Sequence, residues 1–441
     1  MRINGGPRTR VAAALAGAAV LLAGCGGGGS DSTTGQSSEG GSEPGITPTS
    51  IKIGTHMPLT GVAAPGYSEI SPGAKAYFDY INDQGGINGR KIEYIVKDDG
   101  YNPTNTASVT NQLVLQDEIF AMIQGLGTPT HSAVLDFLDE QEVPDLFASS
   151  GALAWNQPDK YPGTFGWQPN YTTEGKIIGK YIQENFPDAK VGLFLQGDDL
   201  GRDGSEGVKQ FIADQIVEEV TYTSGNTDIA AQIQQLKASG ADMVVGFNVP
   251  AYTALSQLQA RGQGFEAKWF YTNVGLDAQL VGGLLDNFSK GQVKGTSALE
   301  GLYTTRYLTG VDDADDPWVQ LWNKVWEAKG DGKPLTNFNL YGMSGAYTFA
   351  QTLAAAGPDV TRESLISTLE EKGSSFQGPA LAPFAYSAEE HRGITGVRVV
   401  QIKDGKPENL TEVQTTGAGE EPIEEYTQEQ APPPANGVPT G

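Results

Sequence analysis

Cysteine occurs once in 441 residues, at Cys25, so no disulfide can form within the chain. Histidine occurs three times, at His56, His131 and His391. They are widely spaced, no HExxH pair exists, and a surface or loop position is expected of each. The GxSxG elbow and the Walker sequence are also missing. GLGTPT from Gly125 has two glycines of a dinucleotide fingerprint, but Thr130 stands where the last belongs and no acidic residue is placed for a ribose. DDLGRDG from Asp198 lacks the central oxygen ligand and the later glutamate of a calcium loop, and reads as a solvated acidic turn. The expectation is a chain that is not an enzyme and that holds neither cofactor nor metal. Basic residues are scarce as well, 29 against 53 acidic, for a net charge of −24. That balance disfavours nucleic acid and anionic lipid as partners.

Long apolar runs are absent too. Residues 11–23 are apolar but number only thirteen, too few to span a bilayer. With Arg2, Arg8 and Arg10 ahead and small residues at the end, residues 1–24 have the layout of a secretory signal peptide. Where this segment ends, Leu22-Ala23-Gly24-Cys25 resembles a bacterial lipobox, in which Cys25 would be lipidated after cleavage. GGGGSDSTTGQSSEGGSEPG follows, and residues 25–49 read as a flexible tether. Residues 411–441 are acidic and proline-rich and are expected to be disordered. The folded body, roughly 50–410, is long enough for two domains of ordinary size.

Within it, short apolar runs alternate with amphipathic stretches. IKIGTHMPL reads as a strand and loop, SPGAKAYFDYINDQGG as a helix entered through Pro72 and stopped by Gly85 and Gly86, and KIEYIVKDD as a strand. The rhythm breaks near residues 165–190 and resumes with AKVGLFLQG, VEEVTYT, ADMVVGF and AKWFYT as strands between helices. This pattern predicts an α/β chain of two lobes, each a parallel sheet flanked by helices. Ligands of such sheets sit beyond the carboxyl ends of the strands, so the cleft between lobes is the expected site.

Two hydroxyl-bearing loops stand at such ends. In GLGTPT, Thr128 and Thr130 could hold an anionic or carbonyl oxygen, or could simply cap a helix starting near Ser132. FASSGALAW offers Ser149, Ser150 and the backbone at Gly151. Trp155, Trp167 and Tyr171 lie near the crossover, where aromatics can cover a ligand or pack a core.

IKIGTHMPLTGVAAPG, GAKAYFDYINDQGGINGRKIEYIVKDD, NPTNTASVTNQLVLQDEIFAMIQG, QGDDLGRDG and SALEGLYTT together resemble the type I periplasmic solute-binding proteins of ABC importers, in the branched-chain amino acid or leucine-binding group. The resemblance covers about residues 50–410. It implies lobe 1 from 50–169 and 305–382, lobe 2 from 170–304 and 383–410, three crossings, and a ligand enclosed between the lobes. It also implies docking of the closed form on a membrane permease. By the same resemblance the ligand's carboxylate would meet Thr128, Thr130, Ser149 and Ser150. Pro65 and Leu200 stand where the leucine-binding members have an aromatic and a tyrosine. Asn273 stands where an acid receives the ligand's ammonium, with Asp277 the nearest acid. An amide there loses a charge-assisted bond worth about 2 kcal/mol or more, so an amide, an aromatic or short carboxylic acid, or another small organic solute is expected beside an amino acid. The implied role is capture on the outer face of the cell membrane by a lipid-anchored monomer. A sensing module coupled to a membrane signalling partner is the alternative.

Overall fold

The computed structural model describes residues 43–440. The expected signal peptide, Cys25 and most of the tether lie outside the described residues. The end of the tether is described, and it is structured: Ile46 bridges Ile51, and Gly45 accepts the Lys52 N–H at 2.8 Å.

Lobe 1 holds β1 (Ser50–Met57), β2 (Lys91–Asp98), β3 (Ala121–Ile123), β4 (Asp145–Ala148) and β5 (Thr164–Gly166). They form a parallel sheet in the order β2-β1-β3-β4-β5. Strands β3, β4 and β5 are buried throughout, as expected where helices cover both faces. Lobe 2 holds β6 (Val191–Gln196), β7 (Ile216–Tyr222), β8 (Met243–Phe247), β9 (Lys268–Tyr271) and β10 (Tyr303–Arg306), again mutually parallel. The chain leaves this sheet after Arg306 and builds the remaining helices of lobe 1, including Pro317–Lys329 and Asn337–Ala356. It comes back as β13 (Gly396–Lys403), antiparallel to β10.

The segment before that return differs from expectation. Strands β11 (Phe384–Ser387) and β12 (Glu390–Ile394) form a hairpin on lobe 1, not lobe 2. The reason is aromatic packing: the His391 ring stacks on Phe165 at 3.6 Å between centroids, and Tyr386 Oη donates to the Gly166 carbonyl at 2.7 Å.

The tail also differs. Beyond β14 (Lys406–Asn409), strands β15 (Val413–Thr415) and β16 (Glu424–Tyr426) extend the lobe 2 sheet to the order β16-β15-β13-β10-β9-β8-β6-β7, with β14 beside β13. The loop between β15 and β16 wraps the buried ammonium of Lys176, which donates to Thr416 Oγ1 and to the carbonyls of Gly417, Gly419 and Glu421 at 2.6–3.0 Å. The last residues then run along lobe 1. Trp318 Nε1 donates to the Ala431 carbonyl (2.8 Å), Tyr80 Oη to Asn436 (3.2 Å) and Tyr77 Oη to Gly437 (3.0 Å). An acidic, proline-rich stretch has few apolar side chains to bury, but its carbonyls serve donors that the body supplies.

Candidate functional site

A cavity of about 180 Å³ lies between the lobes. It is floored in lobe 1 by the loops after β3 and β4. These loops continue the sheet as a pair: Leu126 bridges Ser149, the Ser149 N–H reaches the Gly125 carbonyl at 2.9 Å, and the Gly127 N–H reaches the Ser149 carbonyl at 3.3 Å. Gly127 has φ +103°, and a Cβ there would stand 2.4 Å from Thr130 Oγ1 and 2.5 Å from the Tyr101 ring. Only glycine fits this turn. The following helix starts at Thr128, four residues earlier than the sequence suggests.

Of the expected site residues, Thr128, Ser149, Tyr171, Asn273 and Asp277 line the cavity. Thr130, Ser150 and Gly151 stand behind them. Thr130 Oγ1 turns back to the Leu126 carbonyl at 2.5 Å. Ser150 Oγ joins Thr128 Oγ1 (2.7 Å) and Tyr171 Oη (3.5 Å) and takes the Ala152 N–H (3.3 Å), so it orients wall residues. Gly151 accepts the Tyr171 N–H at 2.7 Å, fixing the first crossing. Trp155 and Trp167 belong to the core: one packs edge-on to His131, the other donates Nε1 to Thr348 Oγ1 at 3.0 Å.

The rest of the wall is largely phenolic, with Tyr67, Tyr101, Tyr307 and Tyr341 added to Tyr171. Burial raises every one of these phenols, Tyr171 to about 12, so all are neutral hydrogen-bonding groups near pH 7. Tyr67 supplies an aromatic two residues after Pro65. Tyr101 follows the end of β2, where the rule that ligands sit beyond strand ends could have found it. Tyr341 and Gln168 carry no such signal, because one is in a helix buried nearly all round and the other in a crossing.

Lobe 2 contributes Leu200, Val249 and the loop after β9. The DDLGRDG stretch is not a solvated turn: helix Asp199–Ile212 starts there, and Asp198 caps it by accepting the Leu200 N–H at 3.0 Å. Behind Asn273 lies Glu174, fully buried. Its carboxylate accepts from Thr272 Oγ1 (2.6 Å), the Asn273 N–H (2.7 Å) and Thr305 Oγ1. Burial raises its pKa, and these bonds oppose the rise. The Asn273 side-chain amide stands beside this carboxylate, yet its Nδ2 is buried with no hydrogen-bond partner. Asp277 caps helix Ala278–Phe288 through the Leu280 N–H (2.8 Å) and takes Asn337 Nδ2 from lobe 1 at 2.7 Å. Tyr67 Oη to the Val274 carbonyl (3.3 Å) and the Leu153 N–H to Asp203 Oδ2 (2.9 Å) also join the lobes, which are therefore closed over the cavity.

Beneath the floor runs a buried chain. Asp99 Oδ2 meets His56 Nδ1 at 2.8 Å, His56 Nε2 meets His131 Nδ1 at 2.8 Å, and His131 Nε2 meets Asp145 Oδ2 at 2.9 Å. All three histidines are buried, contrary to the expected surface or loop role, because each finds an acceptor inside.

Residues 50–407 match the family model described as periplasmic binding protein. The chain belongs to the periplasmic binding protein family. The Leu/Ile/Val-binding protein homolog 1 of Brucella abortus is 25% identical over 334 residues, covering 73% of this chain and 83% of its own. A branched-chain amino acid ABC transporter structure from Thermus thermophilus with bound valine superimposes with TM-score 0.72 at 20% identity, over 84% of this chain and 97% of that one. A solute binding protein of an ABC transporter from Rhodopseudomonas palustris BisB5, in complex with 3,4-dihydroxy benzoic acid, gives TM-score 0.67 at 20% identity, over 82% and 96%. The two-lobe architecture is thus the type I periplasmic binding protein fold. Proteins of this family bind solutes rather than transform them, and they act outside the cytoplasm. No helix among the described residues is long and apolar enough to cross a membrane.

Proposed function

We propose that this protein captures a small organic solute in the interlobe cavity and delivers it to the permease of an ABC importer, held at the outer face of the membrane by lipid on Cys25 and acting as a monomer. The observation that carries the reading is a cavity walled by both lobes, with the hydroxyls of Thr128 and Ser149 on one side and the β9 loop on the other. A ligand touching both walls would stabilise closure by its differential contacts with the closed form. Lobe 1 supplies the polar end through Thr128, Ser149 and Tyr171, and Asn273 and Asp277 face it from lobe 2.

Native mass spectrometry of the purified full chain in detergent, with identification of any retained small molecule, tests capture. Retention of a solute by the wild type, and its loss in Thr128→Ala and Ser149→Ala, is the expected result. Each change should weaken binding by about 1–3 kcal/mol if its hydroxyl meets a buried ligand group. Unchanged affinity in both would remove these residues from the site. The mass of the chain should also carry the lipid, and Cys25→Ser should abolish it.

A further inference from the structure

The polar atoms of the cavity wall are unevenly divided between donors and acceptors, and this narrows the class of solute. The inference rests on the capture reading above. Gln168 is 3% exposed and lines the cavity; its Oε1 accepts from Tyr341 Oη at 3.2 Å, and its Nε2 is buried with no partner. Ser149, 8% exposed, also lines the cavity; its Oγ stands near Tyr341 Oη but has no hydrogen-bond partner at normal distance. Buried donors without partners are rare in folded proteins and call for an acceptor. A carboxylate brings two such oxygens to the same place.

Among the described residues, each carboxylate that reaches the wall already carries a partner. Two acids reach the wall, Asp277 and Asp312. Asp277 is engaged by the Leu280 N–H and by Asn337 across the lobes, and Asp312 faces Lys406 at 3.8 Å. Glu174 is sealed behind Thr272 and Asn273, with three donors already on it. Arg306 is also in the wall, paired with Asp313. A buried ammonium would have to share Asp277, whose two oxygens already accept from Leu280 and Asn337, or lose its hydration without a full partner. The remaining lining, Leu126, Leu200, Val249, Leu276 and Phe338, suits an apolar or aromatic body.

We propose that the solute is a small carboxylic acid with an apolar or aromatic body and no amine. Gln168 and Ser149 donate to its carboxylate, and Asn273 presents an amide where a cation would need an acid.

Matched probes that differ only at the amine-bearing carbon test this by titration calorimetry on the purified full chain. Leucine is paired with 4-methyl-2-oxopentanoate and phenylalanine with 3-phenylpropanoate, with benzoate as a further acid. The expected result is an acid bound at least about tenfold more tightly than its amino-acid partner. An amino acid binding more tightly than its partner overturns the proposal while leaving solute capture intact, and silence from every acid overturns it too. Capture itself fails only if native mass spectrometry finds no small molecule retained. Gln168→Glu, which replaces the unpartnered donor by an acceptor, should weaken acid binding at least about tenfold. Unchanged binding in a variant that melts like the wild type removes Gln168 from the carboxylate's place. Asn273→Asp should shift preference toward the amino acid of each pair.

Discussion

Glu174 shows most directly how burial sets the chemistry of a single residue here. Desolvation raises its pKa above the ordinary 4.5, so the folded chain binds this proton more tightly than the unfolded chain does. Stability from this group is complete below about pH 4.5 and is lost as pH climbs toward the folded-state pKa. Glu174→Gln removes that slope. Urea unfolding of both chains between pH 4 and 8 should show the wild type losing stability relative to the variant as pH rises, and parallel curves would show that the carboxyl is not perturbed. Residues of this kind are hard to read from sequence. Thr128 and Ser149 were legible because each follows a short apolar run and precedes a helix or turn, which places it at a strand's end. Glu174 and Gln168 were not, since their environment is made by residues about 100 to 170 positions away: Thr272, Asn273 and Thr305 for one, Tyr341 for the other.

Among the elements, glycine determines how closely helices approach. Helix Asn337–Ala356 lies on helix Ile70–Asn82 so tightly that a Cβ on Gly342 would stand 2.0 Å from the Ile70 carbonyl oxygen, and one on Gly73 would stand 2.1 Å from that of Asn339. Alanine has the better helix propensity by about 1 kcal/mol, but the obstacle is rigid backbone. Gly342→Ala should therefore destabilise by roughly 1–3 kcal/mol in urea unfolding, and a neutral or stabilising result would mean the helices can part without loss. Because Leu340 and Tyr341 ride on the same helix and line the cavity, the change should also weaken solute binding. Strand and helix alternation was legible, since β8 is an unbroken apolar run, β6 is one up to Gln196, and their helices end at glycine or polar turns. The β11–β12 hairpin was harder to place: Phe384 and Tyr386 signal burial without saying which lobe buries them, and contact with Phe147 and Phe165 decides it.

For the whole molecule, the residues after Tyr426 form a fourth connection between the lobes. They leave the lobe 2 sheet at β16 and are fixed on lobe 1 by Gln430 to the Ala380 carbonyl (3.1 Å) and by the bonds from Trp318, Tyr80 and Tyr77. A strap on the closed form should oppose opening. Deleting residues 427–441 is expected to raise the radius of gyration of the solute-free chain in small-angle scattering and to weaken solute binding at least about fivefold. If both stay unchanged, the segment covers surface without restraining the lobes. Composition alone could not reveal it, since it reports what a segment can bury and not which of its carbonyls a tyrosine or tryptophan elsewhere will use.

Both described ends of the chain rest on the same lobe: Ile46 bridges β1, and Gly437 lies against Tyr77 and Leu321. Whatever holds the front of the chain is therefore linked to lobe 1 rather than to lobe 2. Fluorophores placed near Ile46 and Gly437 should keep a constant spacing through every capture cycle, and one moved to exposed Lys237 on lobe 2 should register each opening.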